Sequence, residues 1–317
     1  YFANRGWIKH PTDEDGNIIT VTTELLSRQF DVPSQEFLKQ GHTLRVRGDC
    51  HDGNLYNVKS ADICIKTGKS TGQSGATQRG EYENHIQDFN NPSLDAFAKK
   101  YPAGERPELD EILTALQQEE DNLVEFFRVD DLRTRYHMVI PESDHGIKGK
   151  TVVVELVTDE LLFVSELLSE LLGLEDPIFL DNNDEEAEIE VEAELVLKPD
   201  EHSVLPLPNG VAPHSDDLTE AETDHVMNII RNHILQAGMG MLRDNDFSKA
   251  ERGFHRFNEK AAALQSLLPD AYSNDGQLPV SSLRNTFKAG ASNDNSGFTP
   301  HAAPCGPLSA LAQETKE

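Results

Sequence analysis

Positive charge is scarce in this 317-residue sequence, with 28 Lys and Arg against 56 Asp and Glu and a formal net charge of −28. So acidic a chain is a poor match to duplex nucleic acid or an anionic membrane, since binding either requires a cationic footprint. Cysteine is scarce as well. Cys50, Cys64 and Cys305 lack Cys-x-x-Cys spacing and are too few for a disulfide framework, so they read as reduced thiols. No apolar run approaches about 18 residues, so no membrane-spanning helix is expected. The sequence opens on Tyr1 rather than Met, which leaves a signal peptide or a first strand upstream as open readings; a cytoplasmic location is the default.

Hydrophobic residues make up 37%, enough for a packed core alongside segments too polar to join it. The acid is unevenly placed: Glu155 to Glu201 holds seventeen Asp and Glu and one basic residue, Lys198. Divalent cations are natural partners of such a cluster.

Short β-type runs separated by turn residues occupy Ile18–Thr23, Thr43–Arg47, Ala61–Lys66 and Glu81–Ile86, the pattern of a meander. Helical spacing follows at Asn91–Ala98 and Pro107–Gln118. Further strands are expected at Leu123–Val129, Arg133–Ile140, Thr151–Val157 and Glu188–Leu197, spaced as in an antiparallel barrel or sandwich. Leu161–Leu172 has leucines at helical spacing where a barrel could instead carry a strand turn, and Glu175–Glu186 reads as an acidic loop. The four prolines and one glycine of Pro199–Pro213 mark a linker. Leu218–Leu242, opened by Thr219 with Glu222 as a capping box, and Phe247–Leu268 have helix composition. The fold class expected is α+β: an antiparallel eight-stranded β-barrel over residues 1–201, a linker over 202–216, a helical hairpin over 217–270 and a disordered tail over 271–317.

Chemistry concentrates on the strands. In Thr43-Leu44-Arg45-Val46-Arg47, alternation places both arginines on one face, able to fork onto phosphate oxygens. A solvated edge strand is the competing reading. Lys66 shares a face with Cys64 and Asp62, while Arg79, Glu81 and Glu83 repeat the two-residue alternation. Arg133, Arg135 and His137 share a face if Arg133–Ile140 is a strand. The four glutamates Glu188, Glu190, Glu192 and Glu194 fall on one face, opposite Ile189, Val191, Ala193 and Leu195. Such acids repel one another unless cations neutralise them, and an acidic solvated face is the alternative.

Several of these segments, in this order, resemble the CYTH, or triphosphate tunnel metalloenzyme, family. Gln29-Phe30-Asp31-Val32-Pro33-Ser34 and the following Gly41-His42-Thr43-Leu44-Arg45-Val46-Arg47 are similar to its YFDTPD turn, short helix and G-x-x-LRVR strand. Ala61–Gly68 resembles the LTLK-G strand, Arg79–Glu83 the R-x-E-x-E strand, Val154–Asp159 the E-x-A-L-D strand end and Glu188–Lys198 the terminal E-I-E-L-E-L-K strand. The resemblance implies a β-barrel whose Arg45, Arg47, Lys66, Arg79, Arg133 and Arg135 bind a small triphosphate. Lys66, Arg79, Arg133 and Arg135 would also serve catalysis. It implies that Glu81, Glu83, Asp159, Glu192 and Glu194 hold Mg²⁺ or Mn²⁺.

The activity implied is hydrolysis of inorganic triphosphate or an organic one such as thiamine triphosphate. A non-catalytic triphosphate or polyphosphate binder and an ATP cyclase are the alternatives. The family's amino-terminal E-x-E-x-K strand has no counterpart in Tyr1–Thr23, a departure that bears on catalysis more than on binding. His225, His233 and His255 invite comparison with the CHAD domains that accompany some members, and the helical segment is a candidate surface for a protein partner.

Overall fold

A computed structural model describes residues 1–9, 21–51, 54–71, 77–90, 92–104, 106–181, 187–196, 207–208, 211–213, 217–242 and 247–264. The expected tail 271–317, most of the linker 202–216 and the start of the expected strand at Ile18 lie outside them.

The long strands are β2 (Val21–Asp31), β3 (Thr43–His51), β4 (Asn54–Thr71), β5 (Thr77–Ile86), β6 (Val124–Ile140), β7 (Val152–Ser165) and β9 (Glu188–Leu195). Two short pieces, β1 (Ile8–Lys9) and β8 (Ile178–Phe179), complete a nine-stranded sheet ordered β5-β4-β3-β2-β6-β7-β8, with β1 on β6 and β9 on β7. All pairings are antiparallel. Antiparallel strands with helices are thus as the sequence suggests, in a sheet that stays open: among the described residues no pairing joins β5 to β9. The sheet curls nonetheless. Glu194 on β9 feels the charge of Lys66 on β4, although four strands separate these two in the hydrogen-bonded order.

Several strands run further than their sequence signals. The expected pieces Leu123–Val129 and Arg133–Ile140 are one strand, because Asp130 and Asp131 pair in register with Leu26 and Leu25 and Arg128 meets Asp130 at 3.2 Å. Gln29 to Asp31 end a strand rather than form a turn; the turn follows, with Gln35 in the left-handed region at φ 55°. Leu161 to Ser165 complete β7, and helix begins only at Glu166, capped by Ser165 Oγ accepting from the Leu168 amide at 3.3 Å. Leu161 through Ser165 are all buried, and a continuous apolar run carries no period that separates strand from helix.

Helices α1 (Glu36–Lys39), α2 (Leu94–Lys100) and α3 (Pro107–Gln118) follow in chain order. Leu94, Phe97, Leu109 and Leu113 of α2 and α3 cover Leu44, Val46, Ile63 and Ile65, the face of β3 and β4 opposite Arg45, Arg47 and Lys66. Beyond α4 (Glu142–His145) and α5 (Glu166–Leu172) come α6 (Glu220–Ala237) and α7 (Lys249–Leu264). Val226 and Ile230 of α6 pack with Met138, Val152 and Val154, whereas Phe254 and Phe257 of α7 pack with Phe127, Val129, Leu161 and Phe163. Strand alternation puts Val129 on the side of Arg133 and Met138 on the other. The last helix therefore covers one end of the curled polar face, and α6 covers the back.

Candidate functional site

Strands β3, β4, β5, β6, β7 and β9 supply the charged side chains of the curled polar face. On its first half, Arg45 Nη2 lies 3.3 Å from Glu81 and 3.2 Å from Glu83, and Arg47 lies 3.5 Å from Glu83. Lys66 Nζ donates to Glu81 at 3.0 Å. Burial would raise the Glu81 carboxyl, but Lys66 and Arg45 outweigh it and hold it at about 2. Cys64 donates its thiol to Glu81 at 3.3 Å; burial pushes that thiol up to about 12, so with no ion bound it is protonated. Arg79 lies on β5 two residues before Glu81, with its side chain outside the described residues.

On the second half, Arg133 forks onto Asp159 with two bonds of 2.8 Å and reaches Glu192 at 2.9 Å. The Arg135 guanidinium donates to Thr23 Oγ1 at 2.8 Å and lies 3.4 Å from Glu155. Asp159 is fully buried; burial would raise its carboxyl, and the bonds from Arg133 with the charge of Lys249 bring it below its ordinary value instead. Glu194 pairs across the strands with Glu155, not Asp159. Water still reaches Glu194, yet the protein crowding it and the Glu192 charge raise its carboxyl.

The register sets Glu190 opposite Asp159, so the acids that converge are Asp159, Glu190 and Glu192, with ligand-type oxygens within 4.8 Å of one another. Burial and the neighbouring Glu192 raise the Glu190 carboxyl. This all-oxygen set suits a hard divalent cation such as Mg²⁺ or Mn²⁺. A second group, Cys64, Glu81 and Glu83, meets the same spacing, with a soft sulfur in place of one oxygen donor.

The residues placed together also include some that sequence reasoning missed. Lys249, the first residue of α7, hydrogen-bonds Asp159 and lies 3.4 Å from Asp131, 3.5 Å from Glu190 and 3.6 Å from Glu192. Burial, followed by the charges of Lys249 and Asp159 in opposing senses, leaves Asp131 raised to about 6. Glu190 was legible as part of the four-glutamate alternation. Lys249 was not: it lies 90 residues from Asp159, and on its own it is one lysine at a helix start.

The sequence profile of the CYTH domain matches residues 22–201. The chain belongs to the CYTH family. Members of this family bind triphosphates in a metal-dependent tunnel, and triphosphatases and cyclases occur among them. Among solved structures, the PH1819 protein from Pyrococcus horikoshii OT3 is similar at 14% identity and a TM-score of 0.35, over 78% of this chain and 97% of that one. No curated protein matches. The CYTH match runs from the second residue of β2 through β9, and α6 and α7 follow it. No described helix is long and apolar enough to cross a membrane.

Proposed function

We propose that the curled face of this CYTH protein binds a small triphosphate, inorganic or organic, and hydrolyses it with Mg²⁺ or Mn²⁺ to orthophosphate and the corresponding diphosphate. The supporting observation is the crowding of guanidiniums. The Arg45 charge, then burial and Arg133, hold the Arg47 guanidinium below its ordinary value; burial, then Arg133 and Arg47, do the same to Arg135. Like charges brought this close from β3 and β6 are stabilised by a polyanion between them.

In this reading Arg45, Arg47, Lys66, Arg79, Arg133 and Arg135 grip the phosphates, and Lys66, Arg79, Arg133 and Arg135 orient and stabilise the phosphoryl group in transfer. Positioning and charge stabilisation supply most of the rate. Asp159, Glu190 and Glu192, with Glu81, Glu83 and Glu194 as further acids, are the residues to hold the divalent ion. When bound, that ion neutralises phosphate oxygens. Glu194, with its raised carboxyl at the open side of the acidic strand, is assigned the orientation of the attacking water.

A second reading, binding without turnover, is favoured by the cations already paired with Asp159 and Glu192. Phosphate release from inorganic triphosphate with Mg²⁺ or Mn²⁺, with an EDTA control, separates the two. Metal-dependent release supports hydrolysis; calorimetric binding without release supports the second. Arg45→Ala is expected to weaken triphosphate binding about tenfold or more, the scale of a lost charge-assisted hydrogen bond. Glu194→Gln is expected to abolish release while sparing part of the binding. Wild-type behaviour from both variants sinks the assignment of this face.

A further inference from the structure

The acidic wall already holds a cation, and that cation belongs to the chain. Lys249 Nζ is in ion-pair contact with Asp131, Asp159, Glu190 and Glu192 together, three of which are the converging oxygen ligands. An ammonium surrounded by four carboxylates stands where a divalent ion would be bound. Its delivery is built into α7. Arg252 meets Glu188 at 3.2 Å and Glu190 at 2.9 Å, and Arg256 pairs with Glu188 and, at 2.5 Å, with Asp181.

The geometry makes this ladder possible. Successive carboxylates on one face of a strand are about 6.6 Å apart, while residues three or four apart on a helix rise about 4.5–6 Å. Lys249, Arg252 and Arg256 thus climb β9 in step with Glu192, Glu190 and Glu188. On its other side α7 is held by Phe254 and Phe257 against Phe126, with ring centroids 5.1 Å apart in each pair.

We propose that Lys249 is an intrinsic counter-ion that competes with divalent metal for the Asp159, Glu190 and Glu192 oxygens, so that metal entry requires the start of α7 to withdraw. The proposal rests on the reading of these acids as the metal site. It predicts that removing this one charge, with the aliphatic stem kept, tightens metal binding in the absence of any triphosphate.

The test is titration of the full chain with Mn²⁺ alone, read by calorimetry or by the loss of the free-ion paramagnetic signal. Lys249→Met is expected to bind Mn²⁺ about tenfold tighter than wild type or better, on the scale by which a neighbouring like charge shifts a site. Lys249→Arg, which keeps the charge, is expected to stay near wild type and controls for disturbance of the helix start. Adding Glu192→Gln to Lys249→Met is expected to remove the gain. Unchanged or weaker Mn²⁺ binding by Lys249→Met, at a thermal midpoint that shows it folded, overturns competition. A gain that survives Glu192→Gln overturns the placement of the ion. The triphosphatase reading fails separately: Glu192→Gln in the wild-type background that alters neither Mn²⁺ binding nor phosphate release removes the metal site itself.

Discussion

Asp31 shows how a motif residue can be structural. Its Oδ1 accepts from the amides of Val32 at 2.7 Å and Phe37 at 3.2 Å, and its Oδ2 from that of Leu38 at 2.9 Å, so the side chain ties the end of β2 to the turn and short helix that set up the Arg45 strand. Burial raises its carboxyl from 3.8 to about 6, against those backbone bonds. The folded state then binds the proton more tightly than the unfolded chain. Its contribution to stability is fully present below 3.8 and is lost as pH rises through about 6. Urea unfolding of wild type and Asp31→Asn between pH 4 and 7 is expected to show the wild type losing stability relative to the variant across that window. A difference that stays flat with pH means the carboxylate is not desolvated. The sequence exposed Asp31 as part of a family turn and Arg45 and Arg47 by their alternation, because a two-residue period is local. Which acid faces Asp159 depends on the register of β9 against β7, and that is set by packing along whole strands.

At the level of elements, α7 carries more of the site than its composition announced. Gly253 faces Phe127: a Cβ there would lie 2.1 Å from Phe127 Cε2 and 2.2 Å from Cζ. Phe127 has little room to yield, with ring centroids 5.0 Å from Phe254 and 6.2 Å from Phe163. Alanine is the better helix former by about 0.8–1 kcal/mol, but overpacking a close contact costs about 1–3 kcal/mol, and the second effect is expected to win. Gly253→Ala should therefore lower the thermal midpoint by a few degrees, measured by calorimetry or circular dichroism. A raised midpoint means that Phe127 moves aside and α7 docks more loosely than the contacts indicate. Helix over this segment was legible from composition, since Phe254, Phe257 and Ala261 share one stripe. Its seat was not, because the partners Phe127 and Phe163 come from strands more than 90 residues earlier. The same limit divided β6 into two expected strands on either side of Asp130 and Asp131, acids that the fold keeps in the strand beside Arg128 and Lys249.

Over the whole molecule, a chain of net charge −28 gathers Arg45, Arg47, Lys66, Arg133 and Arg135 on one curled face and leaves most of its acid outside them. Composition alone argued for cations as partners; only the curl of the sheet brings basic residues from β3, β4 and β6 near one another and gives the face its anion-binding character. Approach and grip should then depend on salt in opposite ways. At 0.01 M ionic strength the Debye length is about 30 Å, so an incoming triphosphate feels the net negative field of the protein; at 0.1 M it is about 10 Å and much of that repulsion is screened. Contacts inside the face act over a few ångströms and are screened far less. The association rate constant of metal-free triphosphate, measured by stopped flow, is accordingly expected to rise between 0.01 M and 0.1 M salt, with a smaller rise when Mg²⁺ offsets part of the ligand charge. A rate that falls over this range, as it does for ligands steered by attraction, would mean that the basic face dominates the long-range field and that the acid of this chain is distributed away from the entrance.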